Sequence, residues 1–305
     1  MTDFLIADTH FGVKNHSMIW WKSQRDFIYQ QFIPAMKEYG DNIRVIHLGD
    51  VFDSRSGINT LIAAGVRKLF KDIAALDCVK EVIIIAGNHD FYSPVTDEYC
   101  TIETILNNIP KTRLVLREIY ETETSAFVPW FIAEQGLDKL PNKIIYTHTD
   151  ITSLSFSKPV YSGHIHWPKL KDNSYNLGSC YPLTFADSNS SRGFYIKTPC
   201  ELRFIPNKIS INFWRIYGDE IFNNIHFKEH DYIELYIDQE NLPRNEYQDK
   251  INQLKKAYKN IWIIPQSIKF NNHDVNVNMD IESIIESHIP DELKDKFNII
   301  KNTIN

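Results

Sequence analysis

Cysteine is scarce: Cys78, Cys100, Cys180 and Cys200 are the only four in 305 residues. No two form a C-x-x-C pair and nothing resembles a disulfide framework, so a reducing compartment, the cytoplasm, is expected. Positive charge is not in excess either. The 33 Lys and Arg stand against 39 Asp and Glu, a net charge of −6. If the partner is nucleic acid, affinity must then come from local patches, bound cations or another subunit. Long apolar runs are missing, because the longest aliphatic stretch, residues 82–86, is far too short to span a bilayer. The N-terminus, MTDFLIADTH, has no basic n-region and does not read as a signal peptide. There is no internal repeat.

What remains is an ordinary globular composition, 43% hydrophobic and 24% charged, long enough for one sizeable core and a smaller second unit. Short apolar runs at residues 4–7, 44–48, 81–86, 143–147 and 159–162 read as strands. Residues 23–39 and 59–76 between the early ones read as helices, with Ser23 and Asn59 as N-caps. Strand, helix, strand, helix, strand is an α/β pattern with parallel pairing. After Pro206-Asn207 the texture changes. A strand at 232–237, a helix at 245–259 and a strand at 261–264 suggest a small β-rich unit over residues 209–270. The Asn-rich 271–277 reads as a linker and 280–303 as a helical hairpin.

The polar residues fall where the strands end. The first strand runs into Asp8-Thr9-His10, the second into Gly49-Asp50-Val51-Phe52-Asp53, and the third into Gly87-Asn88-His89-Asp90. A fourth ends at His148 and a fifth at Gly163-His164-Ile165-His166. On a strand, His164 and His166 would share a face about 6–7 Å apart. Each fragment alone has a bland reading as a turn, a strand end or a surface histidine. Five together would deliver carboxylate, imidazole and amide oxygen to the carboxyl edge of one sheet, where open α/β sheets build their sites. Hard oxygen and borderline nitrogen donors in that arrangement read as a two-metal hydrolytic site. There a bridging carboxylate is needed and a histidine outside the coordination shell can protonate a leaving group.

The order DxH, GDxxD, GNHD, H, GHxH resembles the calcineurin-like metallophosphoesterase superfamily over roughly residues 4–205. The resemblance implies a layered α/β/β/α sandwich, with Asp8, His10 and His166 on one metal and Asn88, His148 and His164 on the other. Asp50 would bridge them, His89 would be the general acid, Asp53 its orienting partner, and Asp90 a support. Serine/threonine phosphatases carry an arginine just before GNH; Ile85-Ala86 stands here instead. Thr9 to Lys14, Gly49 to Arg55, Val128-Pro129-Trp130, Gly178 to Thr184 with Asp187, and Ser191 to Phe194 resemble the DNA-repair nuclease branch. That branch includes the small subunits of T-even-like phage recombination endonucleases and of bacterial SbcCD. It implies two divalent ions, Mn²⁺ foremost. It also implies 3′→5′ exonuclease action on duplex DNA and endonuclease action on single strands, by attack of a metal-bridging hydroxide. Its organisation would be a nuclease domain (1–205), a smaller α+β DNA-binding capping domain (206–272) and a C-terminal helical segment (273–305). That last segment would dock on a coiled-coil ATPase subunit of the SbcC type, and the early helices would form a homodimer bundle. One departure is that only fifteen residues separate His148 from His164.

Lys14, Arg55 and Arg192 fall near the motifs, where phosphate contacts are expected. His226-Phe227-Lys228-Glu229-His230 is not a zincin motif, since its glutamate is misplaced. His47 reads as a core histidine. Trp20-Trp21-Lys22 reads either as a base-stacking surface or as a packing cluster. Two rival functions fit parts of the pattern: a phosphoesterase for small phosphomonoesters or cyclic nucleotides, and a scaffold with a vestigial metal site.

Overall fold

Residues 1–137 and 143–266 are described by the computed structural model. The expected linker at 271–277, the hairpin at 280–303 and the docking segment lie outside the described residues. Met1–Pro265 form one compact unit.

Along the chain the strands are β1 (Thr2–Ile6), β2 (Ile43–His47), β3 (Val79–Ile85), the hairpin β4 (Phe91–Ser93) and β5 (Thr96–Cys100), β6 (Thr112–Val115), β7 (Tyr120–Glu121) and β8 (Ser125–Val128). Then come β9 (Ile144–Thr147), β10 (Val160–Ser162), β11 (Lys169–Lys171), β12 (Ser174–Asn176), β13 (Gly193–Lys197), β14 (Leu202–Pro206), β15 (Phe213–Tyr217), β16 (Tyr232–Asp238) and β17 (Asn260–Gln266). The first sheet has the order β14-β13-β1-β2-β3-β6. Its four central and edge strands β1, β2, β3 and β6 are parallel, as the alternating pattern predicts. The second sheet has the order β11-β12-β10-β9-β8-β7, with β8, β9, β10 and β12 parallel.

Parallel strands buried on both faces need apolar residues at nearly every position, and β3 (VKEVIII) has them. Phe4, Ile6, Val45, Val82 and Ile84 face the helices, packing on Trp20, Phe27, Met36, Ile62 and Val66. Leu5, Ile46, Ile83 and Ile85 face the second sheet. There Tyr120, Phe127, Tyr146, Tyr161 and Tyr175 stack across five strands with centroid spacings of 5.5, 5.0, 5.4 and 4.9 Å. Tyr146 also donates its hydroxyl to Asp3 on β1, tying the two sheets together. The outer face of the second sheet, through Ala126, Val128, Ile145 and Val160, packs on the short helix Trp130–Ala133 and on Leu137 and Ile151. The layers are therefore helix, sheet, sheet, helix, the expected α/β/β/α sandwich.

The helix Thr60–Ala74 starts where the sequence predicts, with Asn59 Oδ1 accepting from the amides of Leu61 and Ile62. Ser23 is not a cap. The first helix, Met18–Phe27, begins five residues earlier, and Ser23 Oγ accepts from the amide of Ile211. This helix passes through a π-helical turn, Ile28–Phe32, into Ile33–Tyr39. Pro34 accounts for the irregularity, since it has no N–H for the preceding turn and its ring crowds the carbonyl there.

The small unit is the sheet β15-β16-β17 backed by the helix Asn245–Ala257. Strand β16 alternates strictly, and Ile233, Leu235 and Ile237 meet Tyr247 and Ile251 of that helix. The opposite face puts Phe213 and Tyr232 against Trp20, whose indole donates to Tyr232 Oη at 3.2 Å.

Candidate metal centre

Five strands, β1, β2, β3, β9 and β10, end beside one another, and each hands over its polar residues one to six positions past its last residue. The chain turns there through left-handed backbone at Asp8 (φ 50°), His10 (φ 40°), Asp50 (φ 54°) and His164 (φ 80°). Such conformations cost non-glycine residues on the order of 1–3 kcal/mol each and persist where the surroundings hold them. Here the holding bonds are Asp8 N to Gly49 O, His10 N to Asp50 O (both 3.1 Å), and His164 N to Asp8 Oδ1 (3.0 Å).

The side chains converge in two groups that share one carboxylate. In the first, Asp8, His10 and His166 place a ligand atom each within 4.8 Å of one another, and His10 Nε2 is 3.2 Å from His166 Nε2. In the second, Asn88 Oδ1 lies 3.1 Å from His148 Nε2 and 2.9 Å from His164 Nδ1. Asp50 spans the two: Oδ2 is 3.6 Å from His10 Nε2 and Oδ1 is 3.3 Å from His148 Nε2. The short loop between His148 and His164 therefore does not keep His148 out of the centre. Its Nδ1 meets the carbonyl of Leu48 at 2.6 Å, which aims Nε2 inward.

The electrostatics are those of a cation site. Burial lowers the His148 imidazole's affinity for a proton, but the Asp50 and Asp8 carboxylates outweigh it and carry the pKa up to about 9. His10 is likewise raised against burial by Asp53, Asp50 and Asp8. Asp50 is held below the usual carboxylate range because His148, His10 and His89 outweigh its burial. Among the described residues, Asp8 Oδ2 is buried with no hydrogen-bond partner. A buried carboxylate oxygen left bare beside imidazoles, in a mixed oxygen and nitrogen donor set, fits divalent metal ions.

His89 stands edge-on to His10, ring centroids 4.9 Å apart. The expected partnership with Asp53 takes a different form: His89 Nδ1 meets the main-chain carbonyl of Asp53 at 2.6 Å. The Asp53 carboxylate lies 3.4 Å from His10 Nδ1 instead. Asp90 is a buried support, accepting from the amides of Gly87 (2.9 Å) and Val51 (3.1 Å).

Arg192, expected at a phosphate, is 3% exposed and occupied otherwise. It pairs with Asp187 at 2.7 Å, donates to the carbonyl of His166 and lies under the Trp167 ring. Lys14 reaches the Phe213 ring, 5.5 Å from its centroid, and Arg55 sits half-buried in the loop after Asp53. Trp20 and Trp21 are buried, so the packing reading holds for them. His47 is buried against Thr9 Oγ1 at 2.9 Å. Among the described residues, His226 and His230 join no metal-ligand group.

Sequence reasoning missed Gln24. From the first helix its amide donates to the carbonyls of Thr9 and His10 and to Tyr181 Oη, at 2.9, 3.1 and 2.9 Å. Tyr181 in turn donates to the carbonyl of Thr9. Tyr181 lies inside the Gly178 to Thr184 motif; Gln24 carries no signal beyond being polar on an apolar helix face. Among the described residues, no helix is long and apolar enough to cross a membrane.

The profile of one protein family, described as Calcineurin-like phosphoesterase, matches residues 4–179. No curated protein matches the chain.

Proposed function

The chain belongs to the calcineurin-like phosphoesterase family, and from that premise we propose that this metal-dependent phosphoesterase is the DNA nuclease subunit of a recombination or repair complex. The observation that carries the hydrolytic reading is Asp50, one carboxylate set between His10 and His148, with a separate donor group on either side. Asp8, His10 and His166 would hold one ion, Asn88, His148 and His164 the other, and Asp50 both. Two divalent ions there, Mn²⁺ in our reading, would activate water and offset charge on the phosphoryl oxygens.

The residues outside the ligand set have separate tasks. Asp53's carbonyl accepts from His89 Nδ1–H, which orients the ring and leaves Nε2 as the second nitrogen; in the imidazolium form Nε2 would carry the proton given to the leaving sugar oxygen, and the neutral Nδ1–H tautomer would remain. The Asp53 carboxylate steadies His10. Asp90 and Gln24 hold the loops from which Asp50 and His10 project.

DNA as substrate is supported by the motifs shared with the repair-nuclease branch and by the small unit after residue 206, which a small-ester enzyme does not need. The same resemblance supports a homodimer working with a coiled-coil ATPase of the SbcC type. It also supports exonuclease action from 3′ ends of duplexes and endonuclease action on single strands.

The test is Mn²⁺-dependent degradation of an end-labelled duplex, with and without His89→Ala. Degradation by the wild type, reduced roughly 10²–10⁴-fold in the variant while both ions stay bound, supports nuclease and acid together. Hydrolysis of small phosphomonoesters with no action on DNA, even with the ATPase added, overturns the DNA reading and favours the small-ester enzyme.

A further inference from the structure

Two candidate metal ligands are followed directly by a large aromatic, and the fold treats those aromatics oppositely. Phe11, after His10, is buried at 1% exposure, whereas Trp167, after His166, is left 47% exposed. Leaving an indole in water forfeits the stabilisation its burial would bring; what sets Trp167 apart is its place next to a candidate metal ligand together with its fixed mounting.

Trp167 is rigidly mounted. Asn176 Nδ2 donates to the carbonyls of Ile165 (2.7 Å) and Trp167 (2.6 Å), and Ser179 N donates to that of His166 (3.0 Å). Pro168 restricts Trp167 to extended backbone. The guanidinium of Arg192 lies 4.6 Å from the ring centroid and is itself fixed by Asp187. The same guanidinium donates to the carbonyl of His166, so one buried group braces both the site residue and the ring. One π-face is thus covered by a cation, while nearly half of the residue stays open to solvent.

We propose that Trp167 stacks on the nucleobase next to the scissile phosphodiester. The proposal rests on the DNA reading above and adds to it a residue that senses the base as well as the backbone. A flat apolar face mounted on the residue next to His166, and braced by the same Arg192, suits a base, and it is sequence-tolerant because every base has a π-face. Pre-setting the indole also lowers the ordering cost of the contact.

The experiment uses the full chain with Mn²⁺ and a short single-stranded oligonucleotide in which one linkage is a phosphodiester and the rest are methylphosphonates. A matched oligonucleotide carries abasic residues on both sides of that linkage. The wild type should favour the base-bearing strand roughly 5- to 150-fold in kcat/KM, chiefly through KM. Trp167→Ala should lose that preference by slowing on the base-bearing strand alone, and Trp167→Phe should keep most of it. Titration of Mn²⁺ per chain checks that the centre survives in the Ala variant. Equal cleavage of both strands by the wild type overturns the proposal without any variant. So does a preference that persists in Trp167→Ala. Hydrolysis of bis(p-nitrophenyl) phosphate with neither strand cut would instead show that the DNA reading has failed, and the stacking proposal with it.

Discussion

A methyl group on Gly87 would lie 2.2 Å from Asp50 Oδ1 and 2.9 Å from His148 Nε2, so the GN step of the third motif needs a residue without Cβ. Asp50 cannot give way, because its carboxylate also accepts from the amide of His89 at 2.8 Å. Gly87→Ala should therefore weaken Mn²⁺ binding by about 10- to 100-fold, the usual effect of disturbing a metal's supporting residues, and activity should fall with it. Unchanged affinity by calorimetric titration would show that Asp50 does not connect the two groups. His47 gives a second prediction, for acid. Burial, then the neighbouring His148, push its pKa down to about 3. An unfolded histidine titrates near 6.5, so the unfolded state binds the extra proton between the two values and stability falls as pH drops below about 6.5. At pH 5 this amounts to about 2 kcal/mol. In chelator, the melting temperature of the wild type should drop more steeply from pH 7 to pH 5 than that of His47→Asn. Parallel curves would mean that His47 does not titrate this way.

At the scale of elements, the two long helices packed on the first sheet differ in what they do for the site. Thr60–Ala74 contributes an apolar face, and its start is set locally by Asn59. Asn59→Ala should lower stability by about 1 kcal/mol in denaturant titrations and leave catalysis alone. Met18–Phe27 instead holds the loop of Asp8 and His10 through Gln24. Gln24→Leu leaves two buried carbonyls without this donor, which should cost about 1–3 kcal/mol and lower kcat as well. If kcat stays level while stability falls, Gln24 is only a structural tie. The contrast explains what the sequence showed of each. Asn59 stands immediately before an apolar period of 3.6, and a cap is a local feature. Ser23 also precedes an apolar run, but its hydroxyl answers Ile211, 188 residues away, and the helix had already begun at Met18. Nothing nearby in sequence marks such a bond.

For the whole molecule the same division holds. The metal-centre candidates were legible because each lies just past a strand, and parallel strands bring their ends together whatever the loops do. Legibility stopped where a partner lies far along the chain. Asp53 was expected to orient His89, yet its main-chain carbonyl makes the contact and its carboxylate turns to His10. Arg192 was read as a phosphate contact because its neutralising partner, Asp187, and its place beneath Trp167 exist only in the fold. The effect of that burial on DNA binding can be argued from charge. The chain carries a net −6, and with Arg192 enclosed one expected backbone contact is gone. Buried carboxylates at Asp8 and Asp50 would repel a phosphate unless cations offset them. On the proposed DNA reading, metal ions should then be needed for holding DNA and not only for cutting it. With His89→Ala to prevent cleavage, fluorescence anisotropy should show DNA affinity falling tenfold or more when Mn²⁺ is chelated, about 1.4 kcal/mol or more. In Mn²⁺ it should fall steeply with salt, the log–log slope being about −0.7 to −0.9 per phosphate neutralised. Nanomolar binding that survives both chelation and salt above physiological strength, with no ATPase partner present, would place the DNA-binding surface away from the metal centre.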